Sequence, residues 1–360
     1  MDELVDLAAD LVSIPSHEDD QAAGDAVESW LREHTDARVD RDGAGNVLAR
    51  RGRGPTLALV GHHDVVPPAE SQVEGDRFAV DRRDGRLHGR GTADMKGALA
   101  AMMLAFRDAD PAGELVFASF VGEEDGGVGA RAAIDDGFAP DFAVVGEGST
   151  GYSAAGVTDV AVAHKGRRGS TLLASGTTAH ASEPEAGVNA VYRATDAVDV
   201  VRGLSAPETT VLGETVTGSL AVTGIEGGEA WNVVPAECTV TIDERTVPGD
   251  RADLAATEDV AGVEWRVDQD LPPMRCDDGD FARALRQTAA DVQDADPELV
   301  IKPHATDAGW LAEAGTTCLV LGPAEPGEAH TDDESVSIAV LDRVRRIYES
   351  VASTWPRHEN

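Results

Sequence analysis

The chain is poor in lysine, aromatic residues and cysteine. Lys96, Lys165 and Lys302 are its only lysines, and 30 basic residues stand against 66 acidic ones, a net charge of −36. No stretch offers the basic patch on which nucleic-acid and anionic-membrane binding rest, so neither partner is expected. No window approaches the ~18 consecutive apolar residues of a membrane span. The opening MDELVDLAAD is acidic, without the basic start of a secretion signal, so a cytoplasmic protein is expected. Cys238, Cys276 and Cys318 are odd in number, far apart and outside any CxxC pair, which reads as plain thiols rather than a disulfide or a metal cluster. What the chain has in excess is carboxylate. At ~1 M salt the screening length falls to about 3 Å and damps such self-repulsion, so the composition resembles that of a salt-loving organism. With 42% hydrophobic residues, 360 residues suffice for one large or two ordinary domains.

Amphipathic helices are expected over Leu4 to Ile14 and Asp20 to Glu33, broken by Pro15. Apolar strands follow: TLALVG (Thr56 to Gly61), ELVFASFVG (Glu114 to Gly122), DFAVVG (Asp141 to Gly146) and TTCLVLG (Thr316 to Gly322). Helical patterns from Met95 and from Gly127 separate the first three. This alternation predicts an α/β fold with a mostly parallel sheet covered on both faces. From about Val160 to Gln269 the strands are longer and alternate, as in ECTVTIDERTV (Glu237 to Val247), with one helix near Gly187 to Gly203. That shift marks an inserted α+β domain, residues 160–269, within a domain made of 1–159 and 270–360.

Ligands of open α/β sheets bind beyond the carboxyl ends of the strands. TLALVG runs into His62, His63 and Asp64, ELVFASFVG into Glu123 and Glu124, DFAVVG into Glu147, and TTCLVLG, after a short loop, into His330. Asp94 stands just before the helix that starts near Met95. Imidazole and carboxylate without thiolate suit zinc or a similar borderline divalent ion. One catalytic zinc usually takes three protein ligands, so two histidines and three carboxylates fit two ions sharing a bridging carboxylate. Residues two apart on a strand share a face, which pairs Asp64 with His62 as the carboxylate that orients the ring. Of Glu123 and Glu124, one can bind metal while the other stays free to accept a proton from the attacking water.

GHHDVVP (Gly61 to Pro67), GRGTADMKG (Gly89 to Gly97), GEED (Gly122 to Asp125), VGEGST (Val145 to Thr150) and EAHTDDE (Glu328 to Glu334), in this order over nearly the whole chain, resemble the dinuclear zinc aminoacylase/carboxypeptidase family. The resemblance implies that His62 and Glu147 hold one ion, Glu124 and His330 the other, and Asp94 bridges them, with a cis peptide bond after Asp94. It makes Glu123 the general base and Asp64 the orienting residue. It also implies two Zn2+ ions, with Co2+ or Mn2+ as substitutes, and an inserted domain that acts as a lid and forms a homodimer. His180 in GTTAHASEP, Asn232 in WNVVPAE and Arg245 in IDERTVPGD are then the lid residues that complete the site. GRRGS (Gly166 to Ser170) resembles the desuccinylases of the family and adds Arg167 and Ser170 as substrate contacts.

Hydrolysis of the amide of an N-acylated amino acid is the expected activity, with N-succinyl-diaminopimelate, an intermediate of lysine and diaminopimelate synthesis, as the first substrate. Deacetylation of acetylornithine or acetyl-lysine comes second and cleavage of dipeptides or carboxy-terminal residues third. Departures from the desuccinylase spelling are His304-Ala305-Thr306-Asp307 in place of Gly-Thr-Ser-Asp, and Ala181-Ser182-Glu183 after the lid histidine. The alternative of another class is a non-catalytic protein that binds a metal or an amino acid. Glu123 speaks against it, because simple binding has no use for a base.

Overall fold

The apolar runs are buried along almost their whole length. In the computed structural model, which describes residues 1–356, Thr56–His62, Glu114–Phe120, Phe142–Val145 and Thr317–Val320 form the centre of a 9-stranded sheet. Each begins with one half-buried residue and is buried from there on, the pattern of strands covered on both faces. They run parallel in the order Glu114–Phe120, Thr56–His62, Phe142–Val145, Thr317–Val320. Antiparallel strands flank them, Arg38–Arg41 and Val47–Gly52 on one side and Val160–His164 on the other. The sheet is thus parallel at its centre and antiparallel towards its edges.

Successive strand residues point to opposite faces. Ala58, Val60, Val116, Ala118, Ala143, Val145, Cys318 and Val320 share one core with Ala130 and Ala133 of helix Val128–Asp135 and with Ala308 and Leu311 of helix Asp307–Glu313. The helix Lys96–Asp108 packs against Thr56–His62 and Glu114–Phe120, with Asp2–Val12 and Ile338–Thr354 beside it, and is buried without a break from Lys96 to Phe106. Its residues GALAAMML, many of them small and none branched at Cβ, let neighbours approach on every side. The first helix ends at Val12 rather than Ile14, because a residue before proline is pushed out of the helical region and Pro15 follows. The strand from Glu114 stops at Phe120, short of Gly122, whose φ of 58° turns the chain.

Met1–Ala163, Met274–Lys302 and residues 306–356 make one compact unit, and His164–Pro273 with Pro303–Ala305 make the other. The second unit contains an antiparallel sheet in the order Ser219–Gly227, Glu237–Thr246, Gly166–Ser175, Val263–Leu271. Glu237–Thr246 and Gly166–Ser175 alternate buried and more exposed residues. Leu172, Ala174, Cys238, Val240 and Ile242 turn inward onto Ala190, Ala194, Ala197 and Val201 of helix Ala190–Gly203. That helix starts later than Gly187 because Asn189 is its cap, the side chain accepting from the N–H groups of Val191 and Tyr192. Cys238, Cys276 and Cys318 are buried free thiols. Among the described residues no helix is long and apolar enough to cross a membrane.

Candidate metal centre

Parallel strands end on the same edge of their sheet, and here that edge gathers imidazoles and carboxylates. Thr56–His62 ends in His62 itself. Glu123 and Glu124 follow Glu114–Phe120, Glu147 follows Phe142–Val145, and His330 comes from the loop after Thr317–Val320. Asp94 precedes helix Lys96–Asp108, and the peptide bond between Asp94 and Met95 is cis.

The Nδ1 of His62 lies 3.0 Å from the carbonyl oxygen of Asp64 and 3.4 Å from its Oδ1. That leaves Nε2 directed at Asp94 Oδ1, 3.0 Å away, and Glu147 Oε1, 3.3 Å away. A histidine whose second nitrogen is held in this way has its tautomer and ring orientation fixed. The Asp64 carboxylate also accepts the backbone N–H groups of Glu123 at 3.2 Å and Glu124 at 3.0 Å, which ties the acidic turn to the histidine. The Nε2 of His330 lies 3.1 Å from Asp94 Oδ2 and 3.0 Å from Glu124 Oε1. Asp94 therefore addresses His62 with one oxygen and His330 with the other. The ligand atoms of His62, Asp94 and Glu147 lie within 4.8 Å of one another, as do those of Asp94, Glu124 and His330. Imidazole nitrogens with carboxylate oxygens, no thiolate, and a carboxylate shared between two sets are the donor chemistry of a pair of borderline divalent ions. Glu123 is also within reach of His62 and Glu124, but among the described residues its carboxyl makes no side-chain hydrogen bond comparable to that of Glu124 with His330.

At the two histidines charge and burial oppose each other. Burial disfavours a charged His62, yet the carboxylates of Asp64, Asp94 and Glu147 outweigh it and hold its pKa well above the ordinary value. Hydrogen bonds to Asp94 and Glu124 raise His330 to about 10. Burial pushes the Glu123 carboxyl well above the carboxylate range, and Asp307, Glu147 and Asp94 add to it. His63, the neighbour of His62, points elsewhere: it is buried against Ser119 Oγ at 2.7 Å, and burial lowers it to about 3.

Two buried charged groups around the centre, Lys302 and Glu334, carry no signal in the sequence that marks them as site residues, and a third, Asp307, shows only as the last residue of the His304-Ala305-Thr306-Asp307 run. Lys302, one of three lysines in the chain, has its Nζ 3.6 Å from Glu147 Oε2 and donates to the carbonyl of Gly148 at 3.0 Å. Asp307, which opens the helix Asp307–Glu313 after the capping residue Thr306, is buried with its Oδ1 unpartnered, and burial raises it to about 7. Glu334 is buried behind the Asp94 turn. It belongs to EAHTDDE, but nothing in that spelling separates one acidic residue of the run from the next. Two glycines bring backbone close to ligands. A Cβ at Gly322 would come within 2.0 Å of the carbonyl oxygen of Gly146 and 2.6 Å of that of Glu147; one at Gly97 would come within 2.3 Å of the carbonyl oxygen of Thr92.

The candidate substrate residues lie in the second unit, in two groups. Arg167 and Arg245 are direct cross-strand partners, and both bond Asp243, Arg167 Nε to Oδ2 and Arg245 Nε to Oδ1, each at 2.8 Å. With Ser170, whose buried Oγ has no partner, they line a cavity of about 620 Å³. His180 and Asn232 sit on adjoining loops joined by the N–H of Ala181 to the carbonyl of Asn232. Asn232 and His180 are both exposed. His180 Nδ1 lies 2.7 Å from Ser182 Oγ.

Known proteins share this arrangement of chain. Residues 58–354 match the family described as Peptidase family M20/M25/M40. A succinyl-diaminopimelate desuccinylase of Alkalilimnicola ehrlichii is 32% identical over 337 residues, covering 87% of this chain and 88% of its own. Among solved structures, the aminopeptidase PepT of Bacillus cereus superposes with a TM-score of 0.79 at 21% identity, over 98% of both chains. The YXEP protein of Bacillus subtilis, described as a dinuclear metal binding peptidase, does so with a TM-score of 0.71 at 16% identity, over 97% of this chain and 96% of its own.

Proposed function

The chain belongs to peptidase family M20/M25/M40 and is a metal-dependent hydrolase of amide bonds, and from that premise we propose that it cleaves N-succinyl-diaminopimelate to succinate and diaminopimelate. The observation that carries a two-ion reaction is the double reach of Asp94, Oδ1 to His62 and Oδ2 to His330. The substrate rests on the desuccinylase relative at 32% identity and on the Arg167 and Ser170 spelling.

In this reading His62, Glu147 and Asp94 hold one ion and Glu124, His330 and Asp94 the other, with zinc as the metal and cobalt or manganese as substitutes. Such ions polarise a carbonyl oxygen and make water acidic near neutral pH. The chain's own residues do the rest. Glu123 takes the proton of the water that adds to the amide carbon, and its raised pKa suits a group that must hold that proton and then hand it to the leaving nitrogen as the C–N bond breaks. Arg167, Ser170, Asn232 and Arg245 bind the polar ends of the substrate, the arginines by forked bonds to carboxylates. His180 of the partner subunit donates to the developing oxyanion, so residues 160–269 act as lid and dimer contact of a cytoplasmic enzyme.

The test is a panel of N-succinyl-diaminopimelate, N-acetylornithine, N-acetyl-lysine and dipeptides, run in molar salt with zinc, cobalt and manganese in turn. Preferred release of succinate supports the proposal, and faster turnover of an acetylated substrate replaces it. Zinc uptake with no hydrolysis of any member returns the chain to a binding role. Mixing inactive Glu123→Ala with inactive His180→Ala protein tests the lid: subunit exchange restores activity if His180 acts across the dimer.

A further inference from the structure

Glu334 lies four residues beyond His330, and its side chain is fully buried, 0% exposed. Its Oε1 accepts three backbone N–H groups, those of Gly91 at 2.9 Å, Ala93 at 2.9 Å and Asp94 at 3.1 Å. Its Oε2 accepts from Arg90 Nη1 at 2.5 Å. The main chain repeats the connection, since Gly89 N–H donates to the Glu334 carbonyl at 3.0 Å and Ser335–Ser337 pairs antiparallel with Arg86–His88.

This is more than a buried ion pair needs. A carboxylate that satisfies N–H groups on both sides of a turn fixes the direction in which that turn points its side chains, and the turn in question carries Asp94. A second uncompensated carboxylate beside Asp94 would add to the repulsion among the acidic ligands. Arg90 neutralises it, so the clamp supplies rigidity without adding negative charge to the centre.

We propose that Glu334 is a positioning residue of the metal centre, which locks the Gly89 to Asp94 turn to the segment bearing His330 so that Asp94 can serve both ions at once. The proposal rests on the two-ion reading of the site. Residues that orient metal ligands from behind typically contribute 10–100-fold to metal affinity.

Zinc titration of the metal-free protein, followed by calorimetry and by metal content after gel filtration, tests it apart from activity. Wild type is expected to take two ions. Glu334→Ala is expected to weaken the second ion by about 10–100-fold while circular dichroism and size remain those of wild type. Glu334→Gln keeps an acceptor for the three N–H groups but sets its amide N–H against Arg90, so the double variant Glu334→Gln with Arg90→Met should bind the second ion more tightly than Glu334→Gln alone. A role confined to stability shows in the unfolding midpoint alone and leaves the affinity for the second ion the same in the two variants. Should Glu334→Ala fail to fold, that ranking decides. Glu334→Ala that folds and binds two ions like wild type, or a double variant no better than Glu334→Gln, overturns the proposal. Wild type binding fewer than two ions instead removes the two-ion reading, and this inference with it.

Discussion

The two halves of the candidate metal centre are built to different standards. The His62 half stands on a strand at the middle of the sheet; its imidazole is 2% exposed and has both nitrogens engaged. The His330 half comes from a loop, its imidazole is 49% exposed, and the residue has a left-handed backbone at φ 61°, a conformation that costs a non-glycine residue about 1–2 kcal/mol. Asp94 belongs to both. The difference teaches that one set of candidate ligands is pre-formed by the core, whereas the other depends on loop backbone held from behind.

The largest expected effect tests the residue that serves neither half as a ligand. Glu123→Gln should lower turnover by about 10²–10⁴-fold while the protein still binds its metal, the range of a lost general base. Loss of metal on that change would exchange the roles of Glu123 and Glu124. Next comes the contrast itself. His62→Ala leaves buried carboxylates without their partner and should cost the metal-free protein about 3–5 kcal/mol in chemical unfolding, as well as its metal. His330→Ala should leave the unfolding midpoint of the metal-free protein nearly unchanged and remove one ion of the two. Equal effects of the two substitutions would erase the distinction between the halves.

Smaller is the effect expected of Asp64→Asn, which touches no ion in this reading but holds the His62 ring and the Glu123–Glu124 turn. Metal affinity should drop by about 10–100-fold, measured by competition with a chelating dye. The smallest concerns pH. The pKa of His330 is raised to about 10 in the metal-free protein, so its contribution to stability is complete below the ordinary histidine value and fades as pH climbs through 10. The small difference in Tm between metal-free wild type and His330→Ala should therefore shrink from pH 6 to about 10; a difference that grows over this interval would contradict the sign.

Much of this is legible in the sequence because of where the candidate site residues lie. His62, Glu123, Glu124 and Glu147 each follow a run of apolar residues that can hardly be anything but a buried strand, and parallel strands deliver their ends to one edge. The antiparallel flanks are less legible, since Arg38–Arg41 and Val160–His164 are short and Val160–His164 pairs with a strand far along the chain. Lys302, Asp307 and Glu334 escape for a related reason. Their meaning lies in contacts with Gly148, with the surroundings of Glu123 and with the Asp94 turn, and no periodicity announces a contact across more than a hundred residues.

Gly97 and Gly322 set a limit on how this enzyme can vary. Every coding change at a glycine adds at least one carbon, and at these two positions that carbon has nowhere to go: it meets the carbonyl of Thr92 from Gly97, and those of Gly146 and Glu147 from Gly322. These neighbours are main chain, so no alternative rotamer relieves the clash, and the loops bearing Asp94 and Glu147 must move instead. In a saturation library of the gene these two codons should accordingly accept only silent changes, although neither encodes a candidate ligand, while the acidic exterior accepts wide replacement. The metal centre is thus guarded by residues that have no side chain with which to touch it.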